Sequence, residues 1–118
     1  HAGTYGPILG QLNRLKVHHL TMEFTAAGAG DLESLGRLRE DFELGLGVVD
    51  VTPGAPEAAS LIVSRVERAL ACIDKKRVTL NPDCGFAPGS AAKVDIDEVY
   101  LKLKAEVEAA QILRAKYA

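Results

Sequence analysis

Side chains that could carry chemistry stand where the apolar runs of this sequence end. Glu23 lies near the end of "HLTMEF", Asp50 follows "LGLGVV", and Asn81, Asp83 and Cys84 follow "RVTL". Carboxylate and thiolate groups, together with a histidine, are ligands that zinc accepts. Bound zinc can also hold a second thiol as the thiolate, which is the nucleophilic form. A zinc site built from these residues would therefore offer a route to alkyl transfer onto sulfur.

Each of these residues also has a simpler interpretation. A single cysteine such as Cys84 often packs as a small apolar side chain. Glu23 could be a solvated loop residue, and Asp50 could cap the turn that follows it. Another hypothesis keeps catalysis without a metal, with Cys84 as the nucleophile and His18 or His19 as its base.

The elements that must position these residues alternate between strands and helices. Apolar, β-branched runs predict strands at 16–24, 44–51 and 77–84, and helical spacing predicts helices at 31–42, 57–73 and 96–118, with a short helix at 7–15 before them. The order β-α-β-α-β-α predicts an α/β fold whose parallel strands are joined by right-handed crossovers.

The apolar pattern also predicts which sides of these elements are buried. The run at 44–51 does not alternate, which suits a strand covered on both faces. Asp31 is the predicted N-cap of the first long helix, and Cys72 belongs to the apolar pattern of the second. The last helix is predicted to face the core through Val99, Leu103, Val107, Ala110 and Leu113.

A parallel sheet would bring the polar strand ends together. Functional groups gather at the carboxyl ends of parallel strands, and neighbouring strands lie roughly 4.8 Å apart, so adjacent ends are about 5 to 10 Å from one another. Glu23, Asp50 and Cys84 are therefore predicted to share one pocket. Asp50 is the predicted catalytic residue and orients the substrate, and Asn81 and Asp83 are predicted to bind the substrate.

Composition sets the limits on domain number and partners. The 118 residues predict one domain or part of one. The net charge of −2, from 14 basic and 16 acidic residues, gives no electrostatic argument for binding nucleic acid or an anionic membrane. No apolar run is long enough to span a membrane. Two cysteines do not make a disulfide framework, so a reduced, cytoplasmic setting is expected. Three strands leave open sheet edges, which predicts a homo-oligomer or a portion of a larger α/β fold.

Three stretches resemble one known family. "LNPDCGFAPGS", "ELGLGVVDV" and "HLTMEF" are similar to the catalytic C-terminal domain of cobalamin-independent methionine synthase, and the resemblance runs from about residue 1 to 117. It implies a TIM (β/α)8 barrel of which residues 1–118 form the C-terminal part, its last three βα units. It also implies transfer of a methyl group from a methylated folate to a thiol acceptor such as homocysteine.

The resemblance implies roles for individual residues. His1, Glu23 and Cys84 match the family's zinc ligands, whereas Gly3 stands where a further cysteine ligand is expected. Thr52 stands where methionine synthases carry a histidine that donates a proton to the departing folate. The two differences favour a divergent relative that uses another alkyl donor or thiol. The alternative is a non-catalytic barrel fragment or degenerate paralogue that acts through assembly with another chain.

Overall fold

The computed structural model describes residues 5–25, 34–52, 54–83 and 95–117. Their secondary-structure elements, in chain order, are α1 (Leu9–Leu12), β1 (His19–Glu23), β2 (Glu43–Val49), α2 (Ala59–Leu70), β3 (Val78–Pro82) and α3 (Ile96–Tyr117). Short 3-10 turns at Gly6–Ile8 and Lys75–Arg77 precede α1 and β3. The predicted short helix before the first strand is thus confirmed, as are the three strands and the last two helices.

The three strands form one parallel sheet with β2 in the centre. The spatial order is β1-β2-β3, and both pairings are parallel, which confirms the predicted α/β arrangement. Glu23 at the end of β1 is level with Gly47 of β2, and Gly47 is level with Asn81 of β3. This register places the polar residues that follow β1 and β3 on either side of the end of β2.

The two faces of the sheet differ in chemistry. Leu44, Leu46 and Val48 of β2 are almost fully buried in the apolar core that also contains Ile62 and Val66 of α2. The intervening β2 positions on the opposite face are Gly45 and Gly47, which neighbouring polar side chains cover. Every β2 residue after Glu43 is buried, so the prediction of a strand covered on both faces is confirmed.

The predicted orientation of the last helix is confirmed for Leu113 and wrong for Leu103 and Val107. The buried residues of α3 are Lys102, Ala105, Glu106, Ala109 and Leu113, whereas Leu103 and Val107 are 39% and 54% exposed. The contact of α3 with α2 is the largest helix–helix contact among the described elements. Ala105 and Ala109 on the buried side carry the smallest side chains available there, and small residues let two helices approach closely.

The predicted helix at 31–42 is also wrong over the part that the structure describes; its predicted N-cap Asp31 lies outside the described residues. Residues 34–37 form a 3-10 turn, and the chain leaves helical geometry before residue 42. Arg39 explains the difference, because its N–H bonds to the Asn13 side chain at 2.8 Å and its guanidinium donates to the Asn13 carbonyl at 3.0 Å. These distant bonds take Arg39 out of helical register, while Leu35 and Leu38 remain buried as the apolar pattern predicted.

Within the described ranges, no helix combines the length and the apolar composition that a membrane crossing requires. Cys72 is half-buried and packs against the edge of the core, in agreement with its predicted packing role.

Candidate active site at the carboxyl ends of the strands

Glu23 occupies the last position of β1 and is half-buried. Its backbone is held by the hydroxyl of Tyr5, which accepts from the Glu23 N–H at 3.0 Å and donates to the Glu23 carbonyl at 2.9 Å. The Tyr5 ring packs against Phe24 with 5.5 Å between ring centroids. Sequence reasoning missed Tyr5, because it lies 18 residues before Glu23, outside every periodic element.

Asp83 directly follows β3 and is only 5% exposed. Its Oδ2 accepts a hydrogen bond from the Thr25 hydroxyl, and its carboxylate lies where a side chain on Gly47 would begin. Its buried Oδ1 has no hydrogen-bond partner among the described residues. Asp83 therefore connects the end of β3 to the residues after β1, and the connection passes over the central strand.

Burial raises the pKa of the Asp83 carboxyl, and the nearby charge of Glu23 raises it further, against the lowering effect of the Thr25 hydroxyl. Both groups are carboxylates at one end of the sheet, and like charges disfavour simultaneous ionisation. The strand ends thus hold two acidic groups, and the pKa of the more buried one, Asp83, is raised.

Asn81 belongs to the polar face of the sheet, beside Gly45. A Cβ on Gly45 would lie 2.6 Å from Asn81 Oδ1 and 2.7 Å from His19 Nε2. Asn81 Oδ1 is buried without a hydrogen-bond partner in the described structure, and Asn81 Nδ2 donates to the Pro82 carbonyl at 3.2 Å. The missing side chain of Gly45 thus provides the space in which groups from β1 and β3 converge. Sequence reasoning had left open which of His18 and His19 turns this way.

Asp50 follows β2 and forms a tight turn with Thr52. Its Oδ1 accepts from the Thr52 N–H at 3.0 Å and from the Thr52 hydroxyl at 2.8 Å. Partial burial favours the neutral acid, but these two bonds, with the charges of Lys102 and Arg65, hold the pKa of Asp50 below its usual value. Asp50 is therefore an ionised carboxylate at the end of the central strand.

The two long helices hold the segment after β2. Lys102 of α3 is 4% exposed, and its Nζ donates to the Thr52 carbonyl at 2.6 Å. Glu98, one turn earlier, accepts from the Gly54 N–H at 2.6 Å. Arg65 of α2 donates to the Val48 carbonyl at 2.9 Å and pairs with Glu57 through both of its terminal nitrogens. Sequence reasoning missed these anchors. Lys102 and Glu98 are charged residues in an amphipathic helix, and nothing in the neighbouring sequence indicates that they contact the segment after β2.

A concave region lies away from the strand ends, between α2, β3 and α3. It has a volume of about 820 Å³ and apolar walls that include Leu70, Val78, Leu80 and Leu113. Glu106 lines it, and Glu106 Oε1 is buried without a hydrogen-bond partner in the described ranges. Burial raises the pKa of this carboxyl.

The fit of a zinc ion can be judged from the chain around Glu23. His1 and Cys84 lie outside the described residues, and within those residues no group of three or more histidine, cysteine or acidic side chains converges. Asp83, the residue directly before Cys84, reaches Thr25, which is two residues after Glu23. A carboxylate, a thiolate and an imidazole are ligand types that zinc accepts. Glu23 and the residue before Cys84 thus belong to the same end of the sheet, and the carboxylate of Glu23 is a ligand type that the group implied by the resemblance accepts.

Comparison with known proteins gives consistent matches. The sequence model of the cobalamin-independent synthase catalytic domain matches residues 3–112. A methionine synthase from Saccharolobus islandicus is 32% identical over 112 residues, which are 95% of this chain and 32% of that protein. A 5-methyltetrahydropteroyltriglutamate–homocysteine methyltransferase from Buchnera aphidicola is 30% identical over 112 residues, which are 95% of this chain and 14% of that protein.

A solved structure shows the same fold. The chain is similar to a B12-independent methionine synthase from a Shewanella species, solved in complex with selenomethionine, with a TM-score of 0.79 and 20% sequence identity. The match covers 95% of this chain and 31% of that one. The parallel α/β arrangement thus corresponds to part of a TIM barrel, and the chain spans about a third of the Saccharolobus relative's length. Because the family match covers nearly all of its residues, this chain belongs to the cobalamin-independent synthase family and represents part of its catalytic domain.

Proposed function

We propose that residues 1–118 form a single domain, the C-terminal portion of a methionine-synthase-like barrel that transfers a methyl or other alkyl group to a thiol. The observation that carries the proposal is the contact between Asp83 and Thr25, since it brings the residue before Cys84 to the end of β1, where Glu23 lies. The relatives named methionine synthase and homocysteine methyltransferase support the same chemistry. Homocysteine is the proposed acceptor class.

His1, Glu23 and Cys84 are the proposed zinc ligands, with Gly3 in place of a fourth. When bound, zinc would stabilise the acceptor sulfur as a thiolate. The rest of the barrel would supply further groups to the pocket. A homo-oligomer is the alternative arrangement that would cover the open edges of the sheet.

The remaining residues of the strand ends are proposed to orient the substrates. The ionised Asp50 is suited to a cationic group such as the amino group of an amino-acid thiol. Asn81 and Asp83 are the further proposed substrate-binding residues. Their unpartnered oxygens are buried against Gly45 and Gly47, so contact with a substrate requires these side chains to turn outward. In the transfer, the S–C bond forms as the bond from carbon to the donor atom breaks, and the donor atom keeps the electron pair. Thr52 cannot protonate that atom at neutral pH, so the proton would come from water.

The hydrogen bond from Thr52 to Asp50 favours a second candidate function. The hydroxyl is engaged in a turn, so the position where methionine synthases carry a histidine has only a structural role here. Together with Gly3, this supports a non-catalytic barrel portion that acts through assembly with another chain.

The test is metal binding by the purified protein and matched cysteine variants. Equilibrium dialysis against zinc is expected to give close to one ion per chain, and Cys84→Ser and Glu23→Gln are expected to lower the affinity at least tenfold. Cys72→Ser is the control, because Cys72 lies beside the core and outside the proposed site. Absence of bound metal in the unmutated protein would contradict the proposal of a zinc-dependent transferase. It would then favour the second candidate function, assembly with another chain.

A further inference from the structure

We propose that Tyr5 is a positioning residue that fixes the direction of Glu23 through the backbone of β1. The inference rests on the proposed function, in which Glu23 is a zinc ligand. It goes beyond the ligand set, because Tyr5 acts on the main-chain atoms of Glu23.

The geometry follows from the pairing of β1. In a parallel ladder, alternate residues direct their N–H and C=O groups to the same neighbouring strand. Phe24 turns toward β2 and donates to the Gly47 carbonyl at 3.0 Å, so Glu23 directs its backbone groups away from β2. The Tyr5 hydroxyl meets both of those groups, at 3.0 and 2.9 Å. A single hydroxyl can donate one hydrogen bond and accept another. At Glu23 the Tyr5 hydroxyl therefore supplies the two hydrogen bonds that the backbone of a neighbouring strand would otherwise make.

The tyrosine ring adds a second anchor. Its ring centroid lies 5.5 Å from that of Phe24, whose side chain is 3% exposed and therefore fixed in the core. Tyr5 thus contacts two successive residues, through the hydroxyl at position 23 and through the ring at position 24. Phe24 is followed by Thr25, whose hydroxyl is bound to Asp83. The end of β1 is therefore held on both sides of Glu23, and the direction of the Glu23 side chain is set before any ligand binds.

The Tyr5→Phe substitution isolates this role, because it keeps the ring contact and removes only the hydroxyl. Tyr100→Phe is the matched control, since Tyr100 is 64% exposed on α3. We expect the zinc affinity of the full chain, measured by competition with a chromophoric chelator, to fall about tenfold in Tyr5→Phe, in line with the loss of an outer-shell partner of a metal ligand. Amide hydrogen exchange at Glu23 should become at least tenfold faster in the same variant, because its N–H loses its acceptor.

The outcomes separate this inference from the proposed function. If Glu23→Gln weakens zinc binding while Tyr5→Phe binds zinc as tightly as Tyr100→Phe, the positioning role is overturned and the zinc site stands. If Glu23→Gln leaves zinc binding unchanged, the ligand assignment falls and the inference falls with it. Unchanged exchange at the Glu23 amide in Tyr5→Phe would overturn the inference whatever the zinc affinity.

Discussion

Gly47 shows how a missing side chain positions the candidate site. A Cβ at this position would lie 2.6 Å from the Met22 carbonyl and 3.0 Å from the Glu23 Cα, and it would overlap the Asp83 carboxylate. The first two are backbone atoms, which cannot move aside without shifting β1. The approach of β1 and the Asp83 carboxylate to one another therefore depends on glycine at residue 47.

Gly47→Ala is expected to lower the free energy of unfolding by about 1–3 kcal/mol, the usual cost of overpacking a close contact. Urea denaturation with a single-transition fit measures the change. Gly10→Ala is the control, because Gly10 lies in α1 with no atom within 4 Å of the added Cβ, and alanine is the better helix former. Equal stability of Gly47→Ala and the unmutated chain would contradict the described contact.

Secondary-structure elements were predictable where periodicity had one solution. The apolar positions of α2 follow one helical repeat, and the strands are short apolar runs. The polar residues after each strand were found because they end these runs. In α3, however, apolar residues occur on two sides, at 103 and 107 and again at 105, 109 and 113. The predicted face combined Leu103 and Val107 with Leu113, whereas in the structure Leu113 is buried together with Ala105 and Ala109 on the side that contacts α2.

Long-range hydrogen bonds account for the other parts that the sequence could not predict. Arg39 leaves a helical pattern because its partners in the segment after α1 lie 22 to 26 residues away. The position of Tyr5 against Glu23 and the burial of Lys102 against Thr52 have the same kind of cause. Each is a contact between elements that are distant in sequence, and no window of neighbouring residues contains it.

Glu106 gives a test of the side on which α3 packs. Burial raises the pKa of its carboxyl, so protonation is favoured in the folded state. That contribution to stability is complete below the unfolded pKa near 4.5 and is lost as the pH rises through the raised folded value. Glu106→Leu is therefore expected to be more stable than the unmutated chain at pH 7, by about 1–3 kcal/mol, and to keep little of that advantage at pH 4.

Urea denaturation at the two pH values measures this difference. Glu108→Leu, on the exposed side of the same helix, is the control and should change stability by less than about 0.5 kcal/mol at either pH. A loss of stability at pH 7 in Glu106→Leu would contradict the burial of Glu106 and the orientation of α3.

The whole molecule has an apolar surface as well as a polar sheet face. Ile96, Tyr100, Leu103 and Val107 are all exposed on α3 and follow a spacing of four, three and four residues, which places them along one side of the helix. Such a stripe is typical of a helix that packs against another element. His19, Thr21 and Thr79 are exposed on the sheet face that would line the interior of a barrel.

Self-association of the isolated chain is the expected result of that stripe. Light scattering after size-exclusion chromatography should give an apparent mass that rises with protein concentration, and the double substitution Leu103→Lys, Val107→Lys should prevent the rise. Leu61→Lys, at a comparably exposed position on α2, is the control and should leave the association unchanged. A chain that stays monomeric at every concentration would contradict assembly through α3.

The hold of α3 on the segment after β2 has a consequence for shortened versions of this protein. Lys102 and Glu98 belong to the first two turns of the last helix, yet their partners, Thr52 and Gly54, lie more than 40 residues earlier. A premature stop codon before this helix would therefore remove the supports of the candidate site while every strand remained encoded. Support of the candidate site by Lys102 and Glu98 therefore depends on residues of the last helix.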